Sequence, residues 1–525
     1  SRLMTWFDEP RYLNQLEFKI FNNYFFLPTF IFISTLLLSA CTLGPDFVRP
    51  DSPDTQNYTS GKPLKSVGEQ SLVMGKEIPA QWWMLFRSPP LAALIDKALK
   101  HSPDLQAAQA ALTEASEIAT AKQSSLFPTV DASFASSRLK TTGAQFGRPD
   151  AGGTLFNLDN ATIKVSYTLD VFGAVRRQLE GLMAEADYQR FQLEGAFLTL
   201  SSNIVTTAIE EAALRDQIST TEELIKARVE QLAIAKQQFE SGSTSQVDVL
   251  TQQAELEQER TALPPLQKQL MQARHRLTAL VGDLPSNDLA AQFTLADLKL
   301  PLELPLSIPS KLVAQRPDIR AQEALLHAAN AKIGVVAAQM FPDFTISANV
   351  GSIATKMGDL FMPGSAIWTT GLNLLQPVFH GGENIHQNHA TVAAYEAAAA
   401  RYRSTVLLAF QNVADSLTAL EADASAVKAQ TASEQAALAS LELSRTQYQV
   451  GAVSYLSLLT AQNTYQQARL GQIKAQAIRL ADTAALFQSL GGGWWNRADL
   501  SRTLAAQQKK PETSSFLPFF DWNFK

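Results

Sequence analysis

The sequence predicts a mainly helical protein that carries a membrane β-barrel segment: long coiled-coil hairpins in a tandem repeat, with four transmembrane β-strands per chain. Three observations predict it. The chain repeats itself once, four short stretches alternate with period two, and heptad runs free of proline continue far beyond the span of a globular core.

The N-terminal element is a leader. From Tyr24 to Ala40 the chain is an uncharged apolar run of about 17 residues, short for a helix that needs ~20 to span a bilayer and suited to the h-region of a secretory signal. It ends in Leu38-Ser39-Ala40-Cys41, a lipobox: small residues admit a signal peptidase and the thiol accepts a diacylglyceryl group. Residues 1–40 are therefore expected to be a signal peptide, and residues 41–101 a lipidated N-terminal segment bearing S-diacylglycerol and an N-acyl chain on Cys41. The competing reading of Cys41 is a small buried hydrophobe. Thr42 stands where an inner-membrane retention signal would place aspartate, so sorting to the outer membrane is expected.

The repeat follows. Pro103, Asp104, Phe127 and Pro128 recur as Pro317, Asp318, Phe341 and Pro342 at a constant displacement of 214 residues, and Phe239, Gly242, Leu250, Thr251 and Gly282 recur as Tyr448, Gly451, Leu459, Thr460 and Gly491 at 209. The first repeat is assigned to 102–310 as helix, two strands, helical hairpin and linker, the second to 311–491, and a tail to 492–525.

Within the first repeat, Val130, Ala132 and Phe134 alternate with Asp131, Ser133 and Ala135, and Ile163, Val165, Tyr167, Leu169 and Val171 with Thr162, Lys164, Ser166, Thr168 and Asp170. In the second, Phe344, Ile346, Ala348 and Val350 alternate with Thr345, Ser347 and Asn349, and Trp368, Leu372 and Leu374 face away from Gly371 and Asn373. Each run has the length of a tilted strand crossing an outer membrane, one face oily and one wet. Four strands cannot close a barrel, and an open edge in lipid leaves backbone groups unsatisfied, so closure must come from other copies of the chain; two copies and three both give an even count.

Ala174 to Ser241 contains no proline, enough for one helix of roughly 100 Å. Phe197, Ile204, Ile218, Ile225, Leu232 and Phe239 keep a seven-residue register, interrupted at Glu211, and Val249, Leu256, Leu263, Leu270 and Leu277 answer it on the return helix. Val406, Val413, Leu420, Val427, Leu441 and Tyr448 repeat the pattern, interrupted at Glu434. Sustained heptads on antiparallel arms predict coiled-coil packing.

Composition excludes other classes. Hydrophobic residues are 46% and charged ones 18%, so the chain folds; 44 basic against 50 acidic residues leave −6, with no excess to neutralise a phosphate backbone, and nucleic acid is not an expected partner. A single cysteine forbids an intrachain disulfide or a Cys-rich zinc site. No nucleophile elbow, zincin or phosphate-loop motif is present, so no catalytic residue is assigned and an enzyme is disfavoured. His380, His386 and His389 crowd together without cysteine or methionine and are taken as solvated rather than as metal ligands.

Taken together, these motifs resemble the outer membrane factors, and among them the TolC-like lipoproteins of the NodT group. The resemblance rests on Cys41-Thr-Leu-Gly-Pro-Asp-Phe-Val-Arg-Pro50, Trp82-Trp83 with Phe86 and Pro89, Leu169-Asp-Val-Phe-Gly173 followed by Arg176-Arg177, Leu263-Pro-Pro-Leu266, Arg316-Pro-Asp-Ile319 and Phe341-Pro342. It covers nearly the whole chain after the leader. It implies a homotrimer in which twelve strands close one barrel above a periplasmic helical tunnel. It also implies a passive exit duct for efflux or export, docked to a periplasmic adaptor and an inner-membrane pump of the RND type or similar. The sequence departs from the family at His380, where aspartate is usual, and at Thr460, where relatives often carry an acidic residue; Asp248 is then the remaining acidic candidate for a gate. The residues expected at the periplasmic gate and adaptor tip are Gly242, Asp248, Gly451, Tyr455, Leu456 and Thr460. The alternative function is a structural coiled-coil lipoprotein scaffold without a pore, which would not need wet faces on all four strands.

Overall fold

The computed structural model describes residues 42–60, 64–147, 150 and 152–497. Residues 1–40, expected to be a leader, Cys41 and the stretch from 498 onward lie outside the described residues. Two compact units emerge.

The first unit is a four-stranded sheet of β3 (Thr129–Thr141), β4 (Thr154–Leu169), β6 (Asp343–Ala354) and β7 (Ala366–Leu375), in the order β3-β4-β6-β7. Its register carries the period-two patterns onto common faces. Antiparallel pairing sets Ile163 opposite Val350, Tyr167 opposite Ile346 and Leu169 opposite Phe344, and then Phe344 opposite Leu374 and Ile346 opposite Leu372. The other face matches just as well, with Ser166 opposite Ser347, Thr168 opposite Thr345 and Thr345 opposite Asn373. Cross-strand neighbours share a face, so one side of the sheet is apolar and the other polar. The apolar side has no protein cover: Trp368 is 76% exposed and Leu372 68%. An exposed apolar face of this extent suits lipid. β3 and β7 are the outer strands, so one chain does not close this sheet into a barrel. At its base Phe172 packs on Phe341 with ring centroids 4.9 Å apart.

The second unit is helical and contains both halves of the repeat. α1 (Pro89–His101) and α2 (Pro103–Gln123) lead into α3 (Ala174–Glu240) and α4 (Gln246–Leu280); α5 (Pro309–Gln315) and α6 (Pro317–Ala338) lead into α7 (Glu383–Gln449) and α8 (Tyr455–Ser489). Pro103 and Pro317 open equivalent helices at the first position, where the missing N–H is no loss. α3 and α7 have 67 residues each, and the long helix from Ala174 is found as expected. α4 runs on through Pro264 and Pro265. Among the described residues no helix is long and apolar enough to cross a membrane.

The main core gathers Trp82, Phe86, Ile204, Leu277, Phe293 and Phe487. The interruption of the heptads at Glu211 marks a buried ion pair there. Glu211 is fully buried and accepts from Arg274 Nη1 at 2.8 Å, and Arg274 also donates to the carbonyls of Leu289 and Ala291. A buried guanidinium needs every acceptor it can reach, so this pair pins the segment after α4 against α3.

Sequence reasoning missed a second, small sheet. β1 (Ser66–Val67) pairs antiparallel with β2 (Gln70–Met74), and β2 pairs parallel with β5 (Glu303–Leu306). Strands of two to five residues are too short to show a period, and their parallel partner lies more than 200 positions away in the segment assigned as a linker. Buried Gln70 ties this sheet to α8, donating to Pro301 O at 3.0 Å and Thr483 Oγ1 at 3.3 Å. Gly492 to Arg497, grouped with the tail on sequence, pack on the same unit: Trp494 Nε1 donates to Gln315 O at 2.6 Å, and Arg497 pairs with Glu194 at 2.9 Å.

Candidate functional site at the hairpin tips

Both hairpins turn by the same device. Gly242 and Gly451 follow the ends of α3 and α7 with φ of +71° and +73°, and a Cβ at either would meet nothing within 4 Å. The left-handed conformation, not crowding, calls for glycine. Ser243 N returns to Gln238 O and Ala452 N to Gln447 O, each at 2.8 Å, closing the last carbonyls of both helices in the same pattern.

The return helices start differently. Ser245 caps α4 in a capping box: Asp248 N donates to Ser245 Oγ at 3.2 Å, and Asp248 Oδ2 accepts from Ser245 N at 3.1 Å, Ser245 Oγ at 2.7 Å and Thr244 Oγ1 at 2.9 Å. These donors, Ser245 first, hold the Asp248 carboxyl below its usual range. Its nearest role is therefore to start α4. At the second tip Ser454 accepts from Ser457 N at 3.3 Å, without an acidic partner.

Leu456 is 68% exposed, as are Val247 at 70% and Val450 at 76%, so both tips present apolar side chains to their surroundings. Thr460 is exposed and donates back to Leu456 O at 2.9 Å. Tyr455 packs behind, half-buried, its ring 6.0 Å from that of Tyr448. Burial, and next the Glu255 charge, raise its phenol above the ordinary value. Residues at one tip therefore fall into an outward apolar set and an inward aromatic one.

Each hairpin is sealed by its own small apolar cluster, Leu232, Ala235, Val249 and Leu256 in the first and Leu441, Leu458 and Ala461 in the second. Hydrogen bonds cross between the two. Arg228 of α3, 3% exposed, donates to Glu255 Oε2 of α4 at 3.2 Å, to Gln462 Oε1 at 3.2 Å and to Asn463 Oδ1 at 2.5 Å, the last two on α8. Gln466 Nε2 adds a bond to Glu259 Oε2 at 2.9 Å. Burial drives the Glu255 carboxyl above its ordinary value despite Arg228. Arg228 Nε and the side-chain oxygens of Gln231 and Gln252 are buried without a hydrogen-bond partner among the described residues. A polar network left partly unsatisfied is a weaker join than an apolar seam. Sequence reasoning did not find Arg228; its one signal was a basic residue three positions after Ile225 on a helix whose heptad stripe is otherwise apolar.

His386 and His389 sit one turn apart on α7 with rings 6.2 Å apart and edge to face, and among the described residues no group of three His, Cys, Asp or Glu side chains is placed to hold an ion.

Comparison with known proteins gives this architecture its context. The chain is 29% identical over 92% of its length to the probable efflux pump outer membrane protein TtgC of Pseudomonas putida, 98% of which is matched. It is 30% identical over 79% of its length to the pyoverdine export outer membrane protein OpmQ of Pseudomonas aeruginosa, covering 87% of that protein. Among solved structures, the outer-membrane channel OprN superposes with a TM-score of 0.79 at 25% identity, covering 86% of this chain and all of the other. The open state of the Neisseria gonorrhoeae MtrE outer membrane channel does so at 0.76 and 25%, covering 86% of this chain and 99% of the other. The outer membrane efflux protein family matches residues 94–283 and 308–492, which span both strand pairs and both hairpins, and the chain belongs to that family, an efflux channel of the outer membrane.

Proposed function

We propose that the chain assembles as a homotrimer and forms the exit duct of a tripartite efflux or export system, closed at rest by its hairpin tips. Substrates would reach it from an inner-membrane pump of the RND type or similar through a periplasmic adaptor, and would leave passively. The observation that carries the reading is the register of the sheet: an apolar face continuous across β4, β6 and β7 backs a polar face of Ser, Thr and Asn, which is what a strand set needs when one side meets lipid and the other water. Three copies would bring twelve strands and remove the free edges at β3 and β7.

In this reading the exposed tip residues Val247, Leu456 and Val450 offer an apolar rim to the adaptor, Asp248 and Thr460 lie beside it, and Gly242 and Gly451 set the turn. Arg228, bridging α3 to α8, holds the two hairpins of one protomer together. Cys41, acylated, anchors the chain in the inner leaflet.

The test is made in the native host. Deleting the gene should raise intracellular accumulation of a fluorescent efflux substrate, and formaldehyde cross-linking of the complemented strain should capture the chain with an adaptor. Metabolic labelling with a fatty acid should mark the wild type and miss Cys41→Ser. Unchanged accumulation with no adaptor captured would contradict the duct; equal label on both proteins would contradict acylation alone.

A further inference from the structure

The segment that follows Cys41 is docked. Gly44, with φ of +90°, lies so close to α6 that a Cβ would stand 2.4 Å from Gly334 Cα. Asp46 pairs with Arg177 of α3 at 2.6 Å, and Arg177 also donates to Gly44 O at 3.3 Å and to Glu180 Oε2 at 2.8 Å. The other Glu180 oxygen lies 2.8 Å from His327 Nε2 on α6, and the His327 ring stacks on Phe47, centroids 4.3 Å apart and 15° between planes. Arg49 then reaches Glu323 at 3.0 Å. The contacts form a circuit from strap to α3, to α6 and back to the strap.

Its members depend on one another. The Arg177 side chain is only 5% exposed, and a buried guanidinium is costly unless its donors are met; the strap supplies two of its acceptors and Glu180 a third. Glu180 in turn orients His327, and the imidazole gives Phe47 a flat partner. Gly44 lets two backbones touch where any other residue would hold them apart.

We propose that residues 44–49 are a clasp that fixes the lipid attachment point of this chain, with Arg177 and Glu180 as positioning residues for the acylated N-terminus. Two residues, Thr42 and Leu43, separate Cys41 from Gly44, three Cα-to-Cα steps with a reach of at most about 11 Å. The acyl chains therefore enter the membrane close to Gly334 and Arg177 instead of at the end of a free leash. The lipid part of this inference rests on the acylation of Cys41; the docking of the strap does not.

Val48, 73% exposed within the strap, provides the probe. Cys41 is the sole cysteine, and acylation blocks it, so Val48→Cys in the full chain takes a single nitroxide. In lipid vesicles the label should show the restricted motion of ordered backbone. Gly44→Ala, and separately Arg177→Ala, should shift it to the fast motion of a free terminus, while Asp51→Asn should leave it unchanged. Adding Cys41→Ser should not free it, because the clasp and not the lipid holds the strap. A label already mobile in the otherwise unaltered protein, or unmoved by Gly44→Ala, would overturn the clasp, as would release by Cys41→Ser alone. Absence of fatty-acid label from the wild type would overturn the positioning role while the Gly44→Ala comparison still reported docking.

Discussion

Asp423 on α7 is held uncharged at a pH where most aspartates are ionised. Its carboxyl is pushed up to about 6, first by burial, then by the hydrogen bond its protonated form donates to Asp482 on α8 and by the charge of that neighbour, with Arg479 opposing. An acid whose folded value lies above its unfolded one carries no penalty below pH ~4 and loses stability as pH rises through ~6. Asp423→Asn removes the ionisation. The variant should therefore melt with wild type at pH 4 and above it at pH 8, by about 1 kcal/mol after allowance for solvent screening. Thermal unfolding followed by circular dichroism at the two pH values decides it, and equal midpoints at pH 8 would show that the carboxyl ionises freely. Neither this pair nor Arg228 could be read from sequence, because each becomes unusual only through a neighbour on another helix: Asp482 for the first, Gln462 and Asn463 for the second. Gly242 and Gly451 were legible because a glycine at a helix end has a local cause.

The strands were legible element by element. Alternation at Ile163 to Leu169 and Phe344 to Val350 needs no partner to be seen, and pairing then sets like on like, Ile163 opposite Val350 and Ser166 opposite Ser347. The long helices were legible for the same reason, with α3 ending at Glu240, one residue short of the proline-free span read to Ser241. β1, β2 and β5 were not, since Ser66–Val67 and Glu303–Leu306 carry no period, and their pairing is decided by Gln70 and the core beneath. The register yields a direct prediction. Val165→Arg or Leu169→Arg places a cation in lipid at about 2 to 4 kcal/mol near the midplane, whereas Ser166→Arg points the other way and should be tolerated. Trimer yield on native gels should fall for the first two and hold for the third. Equal loss for all three would mean that the apolar side of this sheet does not face lipid.

For the whole molecule, an efflux channel of the outer membrane must conduct when engaged and stay shut otherwise. Near the tips Arg228 and Gln466 join the two hairpins by hydrogen bonds, set between two separate apolar clusters, so breaking these bonds would leave each hairpin's own cluster intact. Asp248 acts there through the cap of α4, and its loss should weaken the start of that helix as well as remove a charge. The most direct test is single-channel recording in planar bilayers with the purified protein. Wild type should give small discrete steps; Arg228→Ala, and the double change Leu456→Ala with Asp248→Ala, should give larger ones with trimers intact. Absence of discrete steps from any of these proteins, or steps of one size in all of them, would contradict a duct closed at its hairpin tips.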